Sequence, residues 1–302
     1  MALNLKEIRQ FENLELLAKE LVEGFITGLH RSPYHGFSVE FAEHKLYNFG
    51  ESTRNIDWKV YARTDRLYTK QYEEETNLRC SILLDVSSSM YYPQPGRDKI
   101  RFSVYAAAAL SYLMIKQRDA VGLVPFSDQI QEQTQQRSTR THFNAIMKSL
   151  DTWVNRDIPE KNQSNIAETI HLIADQIHKR SLVVIFTDMF QQVDSVQSIF
   201  EALQHLKHNK HEVLLFHTSD KKTEKDFEFE DRPYKFIDME TNQSVTLNPS
   251  AVKSEYTKQM EKFYEEIKLG CGKLKIDLVE VDTNDPFGKI LGASPIKRKR
   301  LS

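Results

Sequence analysis

Two apolar runs in this chain end directly in an aspartate, Leu83-Leu84-Asp85 and Ile185-Phe186-Thr187-Asp188. Uninterrupted apolar runs this short, bounded by polar residues, read as strands buried on both faces, which is the signature of a parallel sheet. Leu78–Leu84, Ala120–Phe126, Leu182–Thr187, Glu212–His217 and Lys273–Val281 fit that description or alternate as strands do. Between them, Asp98–Lys116, His142–Val154, Ile166–Lys179, Ser195–His208 and Ser250–Leu269 carry the three- and four-residue apolar spacing of helices. Strands alternating with helices of this length predict a doubly wound, mostly parallel α/β sheet. Ala106–Ala109 give one helix a face small enough for close approach to the sheet. Gln129–Thr134 reads as a polar edge strand, and Tyr234–Met239 with Ser244–Leu247 as a hairpin turning at Thr241-Asn242.

The first 77 residues follow a different pattern. Leu14, Leu17, Leu21, Phe25 and Leu29 mark an amphipathic helix over 5–29, stopped by Ser32-Pro33. Residues 34–76 are irregular and short-stranded, with Gly36 and Gly50 as turns. The expected organisation is therefore a helix-plus-short-strand framework over 1–77 and an α/β domain over 78–302, which ends in the basic tail Lys297–Arg300. Within 54–70, Arg54, Lys59, Arg63, Arg66 and Lys70 are interleaved with Trp58, Tyr61 and Tyr68. Such a stretch is either a clamp onto the rest of the protein or a docking surface, and Trp58 is assigned to the core.

Composition removes several function classes. With 41 Lys and Arg against 43 Asp and Glu, the net charge is −2, which leaves no global field for nucleic acid or an anionic membrane. Single-stranded nucleic acid would have to use the local 54–70 stretch, by stacking on its aromatics. Cys80 and Cys271 are too few for a disulfide framework, and the charged N-terminus contains no apolar stretch of membrane-spanning or leader length. A cytoplasmic protein is expected. His205, His208 and His211 suit a helix C-terminus, where imidazoles meet the negative end of the helix dipole.

The chemistry concentrates after the first aspartate. Ser87 and Ser89 follow Asp85 at alternate positions, so one carboxylate and two hydroxyls converge above the sheet. Asp188 ends the second apolar run, and Ser164 precedes a helix, where it is also suited to be an N-cap. Ligands of open α/β sheets bind beyond the carboxyl ends of strands. Asp85, Ser87, Ser89, Ser164 and Asp188 are all hard oxygen donors without imidazole or thiolate, a set for Mg²⁺ or Mn²⁺ rather than zinc. A cation so held takes a carboxylate from a partner. An aspartyl-nucleophile hydrolase or phosphotransferase at Asp85 and Asp188 is the alternative chemistry. Against it, the second aspartate such enzymes place two residues on is here Ser87, and no phosphate-binding Gly-x-x-x-x-Gly-Lys loop or Gly-x-Ser-x-Gly elbow occurs.

Asp85-x-Ser87-x-Ser89, Ser164 and Thr187-Asp188 resemble the metal-ion-dependent adhesion site of von Willebrand factor type A domains, with serine at 164 in place of the usual threonine. Upstream, Gly28-Leu29-His30-Arg31-Ser32, Glu40-Phe41, Gly50-Glu51, Arg54-Asn55-Ile56-Asp57-Trp58 and Ala62-Arg63 resemble the DUF58 family of bacterial proteins, which carry a type A-like domain. That resemblance implies a type A or Rossmann-like sheet and a non-catalytic adaptor working with a MoxR-type AAA+ ATPase to assemble or activate other complexes. It also implies a Mg²⁺ site that takes an acidic side chain of a client or of the ATPase, and it makes Arg54, Asp57 and Arg63 candidates for partner binding.

Overall fold

Successive side chains of the central strands point to opposite layers of helix, and this alternation organises the protein. The computed structural model describes residues 13–30, 44–46, 58–70, 78–157, 166–189, 196–239, 243–285 and 287. In chain order the elements are α1 (Leu14–His30), β1 (His44–Leu46), α2 (Trp58–Thr64), β2 (Tyr68–Lys70), β3 (Arg79–Asp85), α3 (Asp98–Lys116), β4 (Ala120–Phe126) and α4 (Arg140–Asn155). They continue with α5 (Ile166–Gln176), β5 (Leu182–Thr187), α6 (Val196–His208), β6 (Glu212–Ser219), β7 (Tyr234–Ile237), β8 (Ser244–Leu247), α7 (Pro249–Lys273) and β9 (Asp277–Asp282).

Five strands form one sheet in the order β4-β3-β5-β6-β9, every pair parallel. From β3 the chain first steps to β4 on one side and then crosses to β5 on the other. The order therefore reverses between β3 and β5, and the crevice beyond their carboxyl ends is where such sheets bind ligands. This is the expected α/β architecture of Rossmann or type A-like kind.

Cys80, Ile82, Leu84, Leu182, Val184, Phe186, Leu214 and Phe216 face a core shared with α1, α3 and α4. Leu83, Val183, Ile185, Val213 and Leu215 face a second core shared with α5, α6 and α7. Each side is buried, so a register slip of one residue would exchange the two faces and is strongly opposed. Ala106–Ala109 of α3 are fully buried, as their small size suggests. Phe102 of the same helix stacks on Phe287 with ring centroids 4.5 Å apart.

By compactness the chain divides into residues 1–28 with 78–302, and residues 29–77. The first helix thus groups with the α/β unit, where the sequence reading placed it in a 1–77 framework. The reason is its apolar stripe: Leu17, Ala18, Leu21 and Val22 are buried in the same core as α3 and α4. Asn13 caps α1, its side-chain oxygen accepting from the amides of Glu15 and Leu16. The expected start of this helix near residue 5 lies outside the described residues.

In the 29–77 unit, β1 pairs antiparallel with β2, His44 opposite Lys70. Trp58 of α2 is 62% exposed and Tyr61 39%, their rings edge to face at 6.1 Å. Trp58 is therefore a surface residue, against the assignment to the core. Positions three apart on a helix share a face, and here that face is turned to solvent.

Gln129–Thr134 differs from expectation too. It is no regular strand, but it covers the free edge of β4: Thr134 donates its amide to the Leu123 carbonyl, and its hydroxyl accepts from the Leu123 amide. Isolated bridges join Phe126 to Ile130 and Val121 to Arg137. Irregular chain laid on an edge strand blocks further strand addition. Gly122 permits the close approach, because a Cβ there would lie 2.9 Å from the Thr134 carbonyl oxygen. Among the histidines, His205 in the last turn of α6 pairs with His171 of α5, Nδ1 to Nδ1 at 3.1 Å, while the buried His211 accepts from the Ser181 amide.

Gly122→Ala is expected to force the 134–136 segment from the sheet edge and to lower stability by about 1–3 kcal/mol. Urea denaturation followed by circular dichroism measures this directly.

Candidate metal centre

Asp85 is the last residue of β3, and Asp188 follows the last residue of β5, so the reversal of strand order brings both carboxylates to one place. Both are fully buried. Each Asp85 oxygen has a donor: Oδ1 accepts from the Ser87 amide at 2.9 Å and Oδ2 from the Thr187 hydroxyl at 2.6 Å. The first bond closes a local side-chain turn and leads into the short helical turn Ser88–Tyr91. That turn sets the Ser87 and Ser89 hydroxyls 3.1 Å apart. The Thr187 hydroxyl in turn accepts from the Met189 amide at 3.0 Å, so its own proton is committed to Asp85.

The structure adds two charged residues that the sequence reading had not placed here. Lys99, in the first turn of α3 and 1% exposed, donates from Nζ to Asp188 Oδ2 at 2.8 Å and to Glu224 Oε1 at 2.6 Å. Glu224 lies in the tight turn Lys221–Lys225 beyond β6, and its other oxygen accepts from the Asp220 amide at 2.7 Å. A third residue, the fully buried His217, donates from Nε2 to the Asp188 carbonyl at 2.8 Å and so anchors the backbone there. Lys99 left a signal in the sequence: it precedes the buried Phe102, Ser103 and Ala106 at helical spacing and so lies on the inward face of α3. Glu224, in an irregular segment 125 residues from Lys99, left none.

Burial and the nearby charge of Asp188 push the Asp85 carboxyl up from 3.8 to about 6, against the pull of the hydrogen bonds from Thr187 and Ser87. For Lys99, burial alone would favour the neutral amine. The Asp188 and Glu224 carboxylates outweigh it and hold the ammonium above its ordinary value. Burial likewise raises Glu224, with Lys99 pulling the other way. The cluster thus brings three carboxyl groups, those of Asp85, Asp188 and Glu224, together with one ammonium.

The donor chemistry of Asp85, Ser87, Ser89 and Asp188 fits Mg²⁺ or Mn²⁺. Among the described residues no three His, Cys, Asp or Glu side chains are grouped to hold a metal, so serine hydroxyls would have to complete such a site. Ser164, Arg54 and Asp57 lie outside the described residues. Arg63 is exposed on α2, in the 29–77 unit.

A five-stranded parallel sheet with acidic residues at its switch point defines an α/β protein of Rossmann or type A-like architecture. The chain belongs to the DUF58 family: residues 43–266 match the model of that family, described as "Protein of unknown function DUF58". Curated relatives include the uncharacterized protein Rv1480 of Mycobacterium tuberculosis and the uncharacterized protein Mb1516 of Mycobacterium bovis. Each is 24% identical over 207 residues, a match covering 68% of this chain and 63% of the relative. Solved structures with a similar chain course include BatB from Bacteroides thetaiotaomicron, at 15% identity and TM-score 0.39, covering 68% of this chain and 90% of that one. The pilus adhesin SpaC from Lactobacillus rhamnosus GG matches at 10% identity and TM-score 0.42, over 76% of this chain and 31% of the adhesin. Among the described residues no helix is long and apolar enough to cross a membrane.

Two outcomes follow from the charges. Lys99→Met leaves the Asp188 and Glu224 carboxylates buried without their cation and is expected to cost about 3–5 kcal/mol in urea denaturation. Asp85 has its folded pKa raised, so its contribution is fully favourable below 3.8 and is lost as the pH rises through about 6. In chelator, the stability of Asp85→Asn relative to the parent is therefore expected to increase across that window and then level off. A difference that stays flat between pH 4 and 7 would contradict the burial of an ionising Asp85.

Proposed function

We propose that the protein is a non-catalytic, divalent-cation-dependent interaction module of the cytoplasm. The observation that carries this reading is the convergence of two buried strand-end carboxyl groups and two serine hydroxyls at the switch point. Asp85, Ser87, Ser89 and Asp188 would hold Mg²⁺ or Mn²⁺, with Ser164 as the fifth donor. The bound ion supplies a Lewis-acidic position for an acidic side chain of a partner. Asp85 is aimed by Ser87 and Thr187, and Asp188 is fixed by Lys99 and His217, so little reorganisation would accompany binding. Lys99 neutralises part of the site's charge and leaves the cation less fully balanced, which favours a carboxylate from outside.

A MoxR-type AAA+ ATPase is the partner that the DUF58 resemblance favours, in the assembly or activation of other complexes. One observation supports a second docking surface on the 29–77 unit: Trp58, Tyr61, Arg63 and Arg66 are all exposed. An aromatic and basic face of this kind suits a partner or the stacking of single-stranded nucleic acid.

Isothermal titration of Mn²⁺ and Mg²⁺ into the purified chain tests the metal reading. Saturable binding is expected, lost in Asp85→Asn and weakened in Ser89→Ala, with circular dichroism unchanged in both. In parallel, the parent chain is expected to capture an AAA+ ATPase from its native lysate in Mg²⁺ and to release it in chelator. Capture that is equal in chelator, or retained by Asp85→Asn, would sink the cation-dependent reading.

A further inference from the structure

A groove of about 530 Å³ opens beside the carboxylate cluster, between the 221–225 turn, the β7–β8 hairpin and α7. Its walls are aromatic. Phe227 stacks on Phe236 with centroids 5.6 Å apart and meets Tyr256 at 4.3 Å, and Phe229 stands edge-on to Phe236 at 5.2 Å. Tyr92 closes the end nearest the Asp85–Ser89 loop and is joined to the turn by its hydroxyl, which donates to the Thr223 hydroxyl at 2.8 Å. Among the described residues the charged groups of the lining are Glu224 and Asp238, both carboxylates, of which Glu224 is paired with Lys99. In the adjoining chain Asp226, Glu228, Glu230 and Asp231 alternate with or follow the two phenylalanines and outnumber Arg232 and Lys235. At the rim, Ile237 and Val245 are 55% and 53% exposed, unusual for large aliphatic side chains on a hairpin.

We infer that this groove binds an arginine side chain presented by an extended segment of a partner protein. The argument is one of charge and shape complementarity. Aromatic faces attract a cation through their quadrupole, and a guanidinium stacks on them while its stem covers the aliphatic rim. Asp238 with the neighbouring Asp226, Glu228 and Asp231 gives the groove a negative field, Glu224 and Glu230 being paired with Lys99 and Arg232. The surrounding structure already holds its own cations in this way. Arg232 lies 5.0 Å from the centroid of the Tyr234 ring and donates to Glu230 at 3.1 Å; Lys99 lies 5.5 Å from Tyr92, and Lys225 4.2 Å from Tyr264. The groove offers the same combination of ring and carboxylate in a space large enough for a side chain from outside. This inference does not depend on a metal at Asp85.

Fluorescence anisotropy with labelled peptides tests it on the full chain. The probes are a capped glycine-serine peptide containing one arginine and the same peptide with alanine or glutamate in its place. Binding of the arginine peptide is expected, with the alanine and glutamate peptides weaker by about 3- to 30-fold, the range of a desolvated cation–aromatic contact. Phe236→Leu keeps the apolar volume and removes the aromatic face, and Asp238→Asn removes an exposed charge. Each is expected to weaken the arginine peptide and leave the alanine peptide unchanged. Asp85→Asn is expected to have no effect, which separates this groove from the metal reading. Equal binding of arginine and alanine peptides, preference for the glutamate peptide, or indifference to both Phe236→Leu and Asp238→Asn would each overturn the inference. If Phe236→Leu proves unfolded by circular dichroism, Asp238→Asn and the peptide series decide.

Discussion

One buried ammonium holds the functional end of this protein together. Lys99 enters from α3, meets Asp188 beyond β5 and reaches Glu224 in the turn after β6, so a single side chain ties three separate segments at one point. A charge in such a place is tolerable only when it is fully partnered, and both partners are carboxylates within hydrogen-bond distance. The arrangement restricts its neighbours. The turn 221–225 must close over the sheet edge for Glu224 to arrive, and closing it sets one wall of the aromatic groove. The Asp188 backbone must stay where His217 fixes it, next to Asp85.

The same cluster sets the electrostatics around Asp85. Asp85 has hydrogen-bond donors on both oxygens, yet its carboxyl is pushed up to about 6, because hydrogen bonds do not cancel burial beside a second carboxylate. Lys99 answers the carboxylates of Asp188 and Glu224. The groove beside it shares Glu224 in its lining.

Most of the fold was legible because its determinants are local. Strand runs such as Leu182–Thr187 are apolar throughout, which only a strand covered on both faces requires, and the intervening helices carry their own period. Asp85 and Asp188 stood out because each interrupts an apolar run at its end. Other features depend on what packs against them. Gln129–Thr134 alternates like a strand, but its pairing to β4 is broken by Thr134, whose side chain takes the Leu123 amide. The first helix shows an apolar stripe, but not which unit it joins. Trp58 carries a side chain that is usually buried, yet it lies at the surface of its own short helix.

By itself the sequence determined the layered α/β sheet, its direction and the two aspartates at strand ends, because hydrophobic periodicity and strand length are properties of contiguous residues. Only the tertiary structure decided which cation meets those carboxylates. Lys99, Asp188 and Glu224 are separated by 89 and 125 residues and come together solely through the order of the strands and the closure of one turn. The aromatic groove is decided the same way. Its rings come from Tyr92, from Phe227 and Phe229 after the turn, from Phe236 in the hairpin and from Tyr256 in α7. No spacing rule links segments so far apart. Their meeting is fixed by packing, where burial makes a charge or a ring find its complement.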